Sequence, residues 1–207
     1  MNDELGLRER KKRETRRLLA EVATRLFDER GFESVTIADI ATVGHVSAKT
    51  VFNYFATKED LVLDGRLEVE DELLRAVLAR PPGEPVVETV RRHTLGVAER
   101  MNLLPAERRN AFRRLVANVP SIHLRMRELS ARTEDELARI LAVETGKPAT
   151  DSIARMVASV LGVLTRLAFG VVGSEAKRWN HASIIASIHE GFDLLSQGLG
   201  SYGVRQP

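Results

Sequence analysis

Lys49, Thr50 and Asn53 lie close together in the stretch SAKTVFNYF, and their side chains carry the hydrogen-bonding groups that read base edges. An ammonium donor such as that of Lys49 suits guanine O6 and N7, so Lys49 is the leading candidate for a base contact, with Thr50 and Asn53 as secondary readers. Ala48 adds a small apolar surface of the kind that meets a thymine methyl. Such chemistry works only if a helix from Ser47 to about Phe55 is held outward by a rigid support.

The support is written on either side. Ile37, Ile40 and Ala41 have the spacing of one helical face, and Val51, Phe52 and Phe55 form a second apolar set after a short break. The pattern predicts two short helices sharing one small core. Thr36 and Ser47 stand where a side-chain oxygen accepts from the free N–H groups of a helix start. Gly44, His45 and Val46 make the turn, with Ala41 small where the helices touch and Val46 closing the corner, which is the pattern of a helix-turn-helix.

At this point the chain resembles the TetR/AcrR transcriptional regulators. The resemblance rests on Gly31-Phe32, the Thr36-initiated helix, the aromatic-rich TVFNYF and the pair Lys58-Glu59, and it covers residues 12–62. One departure stands out. The family commonly has Ala-Gly-Val-Ser in the turn, whereas this chain has Gly44-His45-Val46-Ser47. His45 is therefore expected in the left-handed conformation usually given to glycine, with some strain that the adjacent Gly44 absorbs in part. By the matching family positions, Thr36, Ser47, Tyr54 and Lys58 are expected to hold phosphates and fix register without reading sequence. The resemblance also implies a homodimer on a pseudo-palindromic double-stranded operator and release by a small-molecule effector.

Composition sets the outer bounds. With 207 residues, 43% hydrophobic and 29% charged, the chain has globular values and enough length for a sizeable core. No apolar run approaches the roughly 18 residues needed to cross a bilayer, so a soluble, cytoplasmic protein with no membrane partner is expected. The absence of cysteine excludes disulfides, thiolate metal sites and cysteine nucleophiles. A net charge of +2 is too small to attract nucleic acid by itself, so a local patch must do it. From Arg8 to Arg17 seven basic residues face two acids. Alone that run reads as a solvated helix face; just before a helix-turn-helix it reads as a phosphate-following arm.

The remainder is helical throughout, without strand-like alternation or internal repeats. Leu18, Leu19, Val22, Ala23, Leu26 and Phe27 give a first amphipathic helix closed by Gly31. One long helix is predicted from Thr57 to about Arg80, stopped by Pro81-Pro82-Gly83, followed by helices near 85–102, 105–117, 120–145, 149–173 and 179–199. The expected fold is all-α with about nine helices: a DNA-binding domain over 1–57 and a ligand-binding and dimerisation domain over 58–207. In the last two helices Ile153, Met156, Val157, Val160, Leu161, Leu164, Leu167, Ala168 and Val171, then Ile184, Ile185, Ile188, Phe192, Leu195 and Leu199, form apolar stripes beside small residues. These read either as monomer core or as a four-helix dimer interface, and the two-fold demand of an operator favours the interface.

Other constellations carry less. Gly198-Leu-Gly200-Ser-Tyr-Gly203 matches a dinucleotide fingerprint literally but lacks the flanking strand and helix. The five histidines are scattered without metal-ligand spacing, and no cofactor, metal or catalytic set is expected. Met101, Phe112, His123, Met126 and Phe169 are the candidates for lining an effector pocket, and Trp179 is a packing anchor. The chain is thus expected to be a DNA-binding regulator, most simply a repressor. The alternatives are a helical-bundle enzyme and a protein-binding adaptor.

Overall fold

A computed structural model describes the backbone of residues 2–169 and 180–199 and the side chains of 10–169 and 180–198. Arg8, Val171, Gly173, Trp179, Leu199 as a core residue, and the glycine-rich tail past Gly198 therefore lie outside the described side chains. Among the described residues every regular element is a helix: α1 Asn2–Arg30, α2 Ile37–Val43, α3 Ala48–Tyr54, α4 Lys58–Val62, α5 Asp64–Leu78, α6 Val86–Leu103, α7 Ala106–Asn118, α8 Pro120–Glu144, α9 Ser152–Leu167 and α10 His181–Leu199.

There is one helix more than expected because the long helix predicted from Thr57 is broken at Leu63, whose backbone leaves the helical region at φ −93°, ψ 9°. The five consecutive residues Asp60 to Asp64 are all buried. A continuous helix turns about 100° per residue and cannot bury five in a row against one neighbour, and the break lets α4 and the start of α5 each turn its own face inward.

By packing, the chain divides into two units. The first takes the chain as far as Arg66 together with Glu107–Arg125, and the second takes Leu67–Ala106 and the residues from Met126 on. Linear reading does not anticipate the return of 107–125 to the first unit.

In the first unit α1 packs on α2 and α4, and α2 on α3. Leu19, Ala23, Leu26 and Phe27 of α1 meet Phe32, Val35, Ile40, Ala41, Val51, Phe55 and Leu61 in a closed core. Leu18, expected on this apolar face, is instead half exposed, since it lies at the margin of the stripe. Gly31, at φ +85°, ends α1 with its N–H donating to the Phe27 carbonyl at 3.0 Å. Ion pairs bring the 107–125 segment to the same body: Arg108 to Glu21 at 2.9 Å, Arg114 to Asp28 at 2.8 Å, and Arg125 to the buried Asp60 at 2.9 Å.

In the second unit α10 packs on α6 and α9, and α6 on α9. The core joins Val77, Val86, Val90, Val97, Leu137, Leu141, Val157, Leu161, Ile188 and Phe192. Arg80 is fully buried just past α5, but none of its charge is wasted. Nη1 donates to Val77 O at 2.8 Å and to Glu144 Oε1 at 3.0 Å, and Nη2 donates to Glu144 Oε2. A buried guanidinium is tolerated only with such pairing.

Helix α9 divides the apolar stripe expected of it. Ala154, Val157, Ala158 and Leu161 are buried in the unit, whereas Ile153, Met156 and Val163 are 50%, 51% and 45% exposed, with Val160 and Leu167 partly covered between them. These five recur at the alternating three- and four-residue spacing of a helix-packing seam. On α10, Ser187 and Leu194 are exposed beside the small Gly191.

Candidate nucleic-acid interface

Two capped helices build the candidate site. Thr36 begins α2 with a reciprocal box: its Oγ1 accepts from the Asp39 N–H at 3.2 Å, and Asp39 Oδ2 accepts from the Thr36 N–H at 2.8 Å. The Thr36 hydroxyl and N–H hold the Asp39 carboxyl below its ordinary range. Ser47 begins α3, its Oγ accepting from the Thr50 N–H at 3.0 Å and lying 2.8 Å from the Thr50 hydroxyl. Each such cap contributes about 1 kcal/mol to a helix too short to stand alone.

Between them the chain turns at His45, which has φ +54° and is the non-glycine residue with positive φ among the described residues. The expected left-handed conformation is present. Gly44 plays another part than strain relief. Its own φ is an ordinary −78°, and a Cβ there would meet Leu19 Cδ2 at 2.8 Å and Ile40 O at 3.1 Å. Glycine at 44 lets α1 approach the end of α2, and the left-handed position is occupied by His45. The Val46 N–H closes the corner on Ala41 O at 2.9 Å.

Beyond the turn, Val51 and Phe55 anchor α3 in the core. Ala48, Lys49 and Asn53 are exposed, and Thr50 and Tyr54 are half-buried at the flanks. Thr36 and Ser47 are exposed at the two helix starts. Phe52, expected in the core, is 57% exposed and shares the outer side of α3 with Lys49. The signal was available: Val51 and Phe55 are spaced i, i+4, whereas Phe52 is i+4 from Ala48 and i+3 from Lys49.

Lys58 is turned inward. Its Nζ donates to the Phe32 carbonyl and sits 4.3 Å from the Phe32 ring centroid and 5.4 Å from that of Phe27. Arg16 of the basic run is also committed to the fold, paired with the buried Asp64 at 2.5 Å with its guanidinium 5.0 Å over the Phe55 ring. Arg10, Lys11, Lys12, Arg13 and Arg17 remain exposed along α1. Sequence reasoning missed the Arg16–Asp64 and Arg125–Asp60 pairs because their partners lie far along the chain.

The five effector candidates do not form one set. Phe169 belongs to the core of the second unit, Met101 is partly buried against that core, and Met126 is buried in the same unit. Phe112 and His123 fall in the first unit, and His123 is exposed because α8 turns Ile122 inward there and His123 out. A groove of about 390 Å³ lies within the second unit, with Leu67, Leu74 and Leu78 of α5 facing Leu129, Thr133 and Ile140 of α8, and none of the five candidates lines it. Among the described residues no group of three or more His, Cys, Asp or Glu is placed to hold a metal ion, and no helix is long and apolar enough to cross a membrane.

The family model described as Bacterial regulatory proteins, tetR family, matches residues 19–64. The chain is 33% identical over 146 residues to the HTH-type transcriptional regulator TcmR of Streptomyces glaucescens, a match that takes in 68% of this chain and 65% of that protein. Among solved structures it resembles a TetR-family regulator from Streptomyces coelicolor A3 with a TM-score of 0.55 and 24% identity, covering 88% of this chain and 94% of the other. It also resembles Thermus thermophilus FadR, a TetR-family transcriptional repressor in complex with lauroyl-CoA, with a TM-score of 0.50 and 22% identity over 89% and 94% of the two chains. These likenesses extend the shared fold well beyond the matched 19–64 segment.

Proposed function

We propose, from the match of residues 19–64 to the tetR family of bacterial regulatory proteins and the likeness to TcmR, that the chain is a tetR-family, cytoplasmic, sequence-specific DNA-binding repressor that acts as a homodimer and is released by a small molecule. The observation that carries the reading is the outer side of α3, where Lys49 and Asn53 present donors while Val51 and Phe55 fix the helix from behind.

In this reading Lys49 takes a guanine edge in the major groove, with Thr50 and Asn53 as secondary readers and Ala48 against a thymine methyl. Thr36, Ser47 and Tyr54 hold phosphates at the margins, and the exposed bases of α1 add sequence-independent attraction. Lys58 joins the phosphate set only by leaving the Phe32 carbonyl, so its contribution is the most dependent on rearrangement. The functional division is at residue 57: DNA reading before it, ligand binding and dimerisation after it. The exposed row of α9, with the small-residue side of α10, supplies the two-fold interface. Effector binding belongs to the second unit, where Met101, Met126 and Phe169 lie in or near the core and the α5–α8 groove is open. Phe112 and His123 stay in the candidate set as residues of the first unit.

The test is selection of duplexes from a randomised DNA pool, followed by footprinting of the chosen site. A pseudo-palindrome bound with a steep salt dependence is the expected result. Recovery of no preferred sequence, with weak and salt-insensitive binding, would favour a catalyst or adaptor instead. With an operator in hand, effectors are recognised by reciprocity: a ligand that weakens operator binding by some factor must itself bind less tightly, by that factor, when operator is present.

A further inference from the structure

Phe52 is the anomaly of α3. Phe27, Phe32, Phe55, Phe169 and Phe192 are each 6% exposed or less, so this fold has no difficulty in burying phenylalanine. Phe52, in a capped helix whose neighbours Val51 and Phe55 are buried, is 57% exposed. One exposed apolar side chain is ordinary by itself. Its neighbours make this one specific. At 100° per residue, the rows around α3 run from Val51 and Phe55 at the core, through Ala48 and Phe52, to Lys49 and Asn53 farthest from it. The helix thus presents an apolar row alongside a donor row, both exposed.

A major-groove edge has a matching pair of features. A T·A pair shows the thymine C5-methyl on one side and the adenine N7 acceptor and N6 donor on the other. An amide such as that of Asn53 satisfies the adenine edge in two bonds, and an aromatic or alanyl surface beside it meets the methyl. We propose that Ala48 and Phe52 form an apolar reading pair that recognises the methyl groups of thymines in each operator half-site. The proposal rests on the DNA-reading function and names the base chemistry that function selects. Ala48 and Phe52 are four residues apart, about 6 Å of rise, against about 3.4 Å per base step. The two methyls therefore belong to neighbouring or next-but-one base pairs.

The experiment uses the full-length chain and the duplex selected from a randomised pool. Each thymine is replaced in turn by 2′-deoxyuridine, which removes the methyl and leaves the pairing and O4 unchanged. For the native chain, one or two positions per half-site are expected to lose roughly three- to fivefold in affinity. Phe52→Ala is expected to bind the thymine and uracil duplexes equally at one of those positions while keeping the salt slope. Phe52→Leu, which retains an apolar surface, keeps part of the discrimination and guards against misreading a folding defect, checked by thermal unfolding of both variants. If uracil is accepted everywhere by the native chain, or if Phe52→Ala still prefers thymine at every position, the methyl reading is wrong though the regulator stands. If the pool yields no preferred duplex, the regulator reading fails first and takes this proposal with it.

Discussion

Lys49 and Lys58 are the two lysines of the helix-turn-helix segment, and their surroundings assign them opposite duties. Lys49 is exposed and free to meet a base, so Lys49→Ala should cost about 1–3 kcal/mol on the selected operator and relax preference at one position. Lys58 is folded against Phe32 and Phe27, so Lys58→Ala should lower unfolding stability by about 1–3 kcal/mol in urea titration. A Lys58→Ala protein of unchanged stability that bound all duplexes more weakly would return Lys58 to a purely phosphate-holding part. Asp64 offers a pH test at the same scale. Burial raises its carboxyl above the ordinary 3.8, against the pull of Arg16. With the folded pKa above the unfolded one, its contribution is fully present below pH 3.8 and is lost as pH rises through the folded value. The stability of the native chain relative to Asp64→Asn should therefore grow as neutral solutions are acidified toward that limit. A relative stability that stayed flat or fell would mean that the pairing with Arg16 outweighs burial. Side-chain type was legible in the sequence for both lysines, but direction was not, because the Phe32 carbonyl that captures Lys58 is 26 residues away.

The elements were the most legible layer, because caps and turns are local chemistry. Thr36, Ser47 and Thr57 open helices as their residue types require, each accepting from a backbone N–H three residues on. Positive φ at His45 followed from the glycine that the resembling family carries at that turn position. What stayed hidden was contact made from outside the turn, where Leu19 of α1 presses on Gly44. Gly44→Ala should accordingly destabilise the protein by about 1–3 kcal/mol, since Ile40 O is backbone and cannot yield cheaply. His45→Gly should leave stability unchanged or raise it by up to about 1 kcal/mol by removing the left-handed cost. Thermal unfolding of the pair in which His45→Gly proved the more damaging would overturn this division of labour. The break at Leu63 was hidden for the same reason: five successive buried residues are evident only once two neighbours, α1 and the 107–125 segment, are known to share the burial.

At the scale of the whole molecule, α9 leaves Ile153, Met156 and Val163 about half exposed among the described residues, the row on which the proposed homodimer rests. Ile153→Glu with Met156→Glu should give a folded chain of half the apparent mass in light scattering, because both are exposed. Phe192→Glu should instead unfold the second unit, since Phe192 is fully buried. A double variant that kept full dimeric mass would move the proposed two-fold contact elsewhere. The all-helical plan was legible from periodicity and punctuation, but no periodicity announces which distant helix comes back to which body. Asp60 and Arg125 are separated by 65 residues, and Asp28 and Arg114 by 86. That separation acquires a meaning during protein synthesis. At about 5–20 residues per second, the ribosome needs roughly 3–13 s to deliver Arg125 after Asp60. Throughout that interval the nascent helix-turn-helix lacks both the counter-ion of Asp60 and the 107–125 segment that packs with its unit. A message cut short after the helix-turn-helix would therefore release no miniature repressor competing for the operator, but a head that lacks the ion pairs of Arg108, Arg114 and Arg125 and is open to proteolysis.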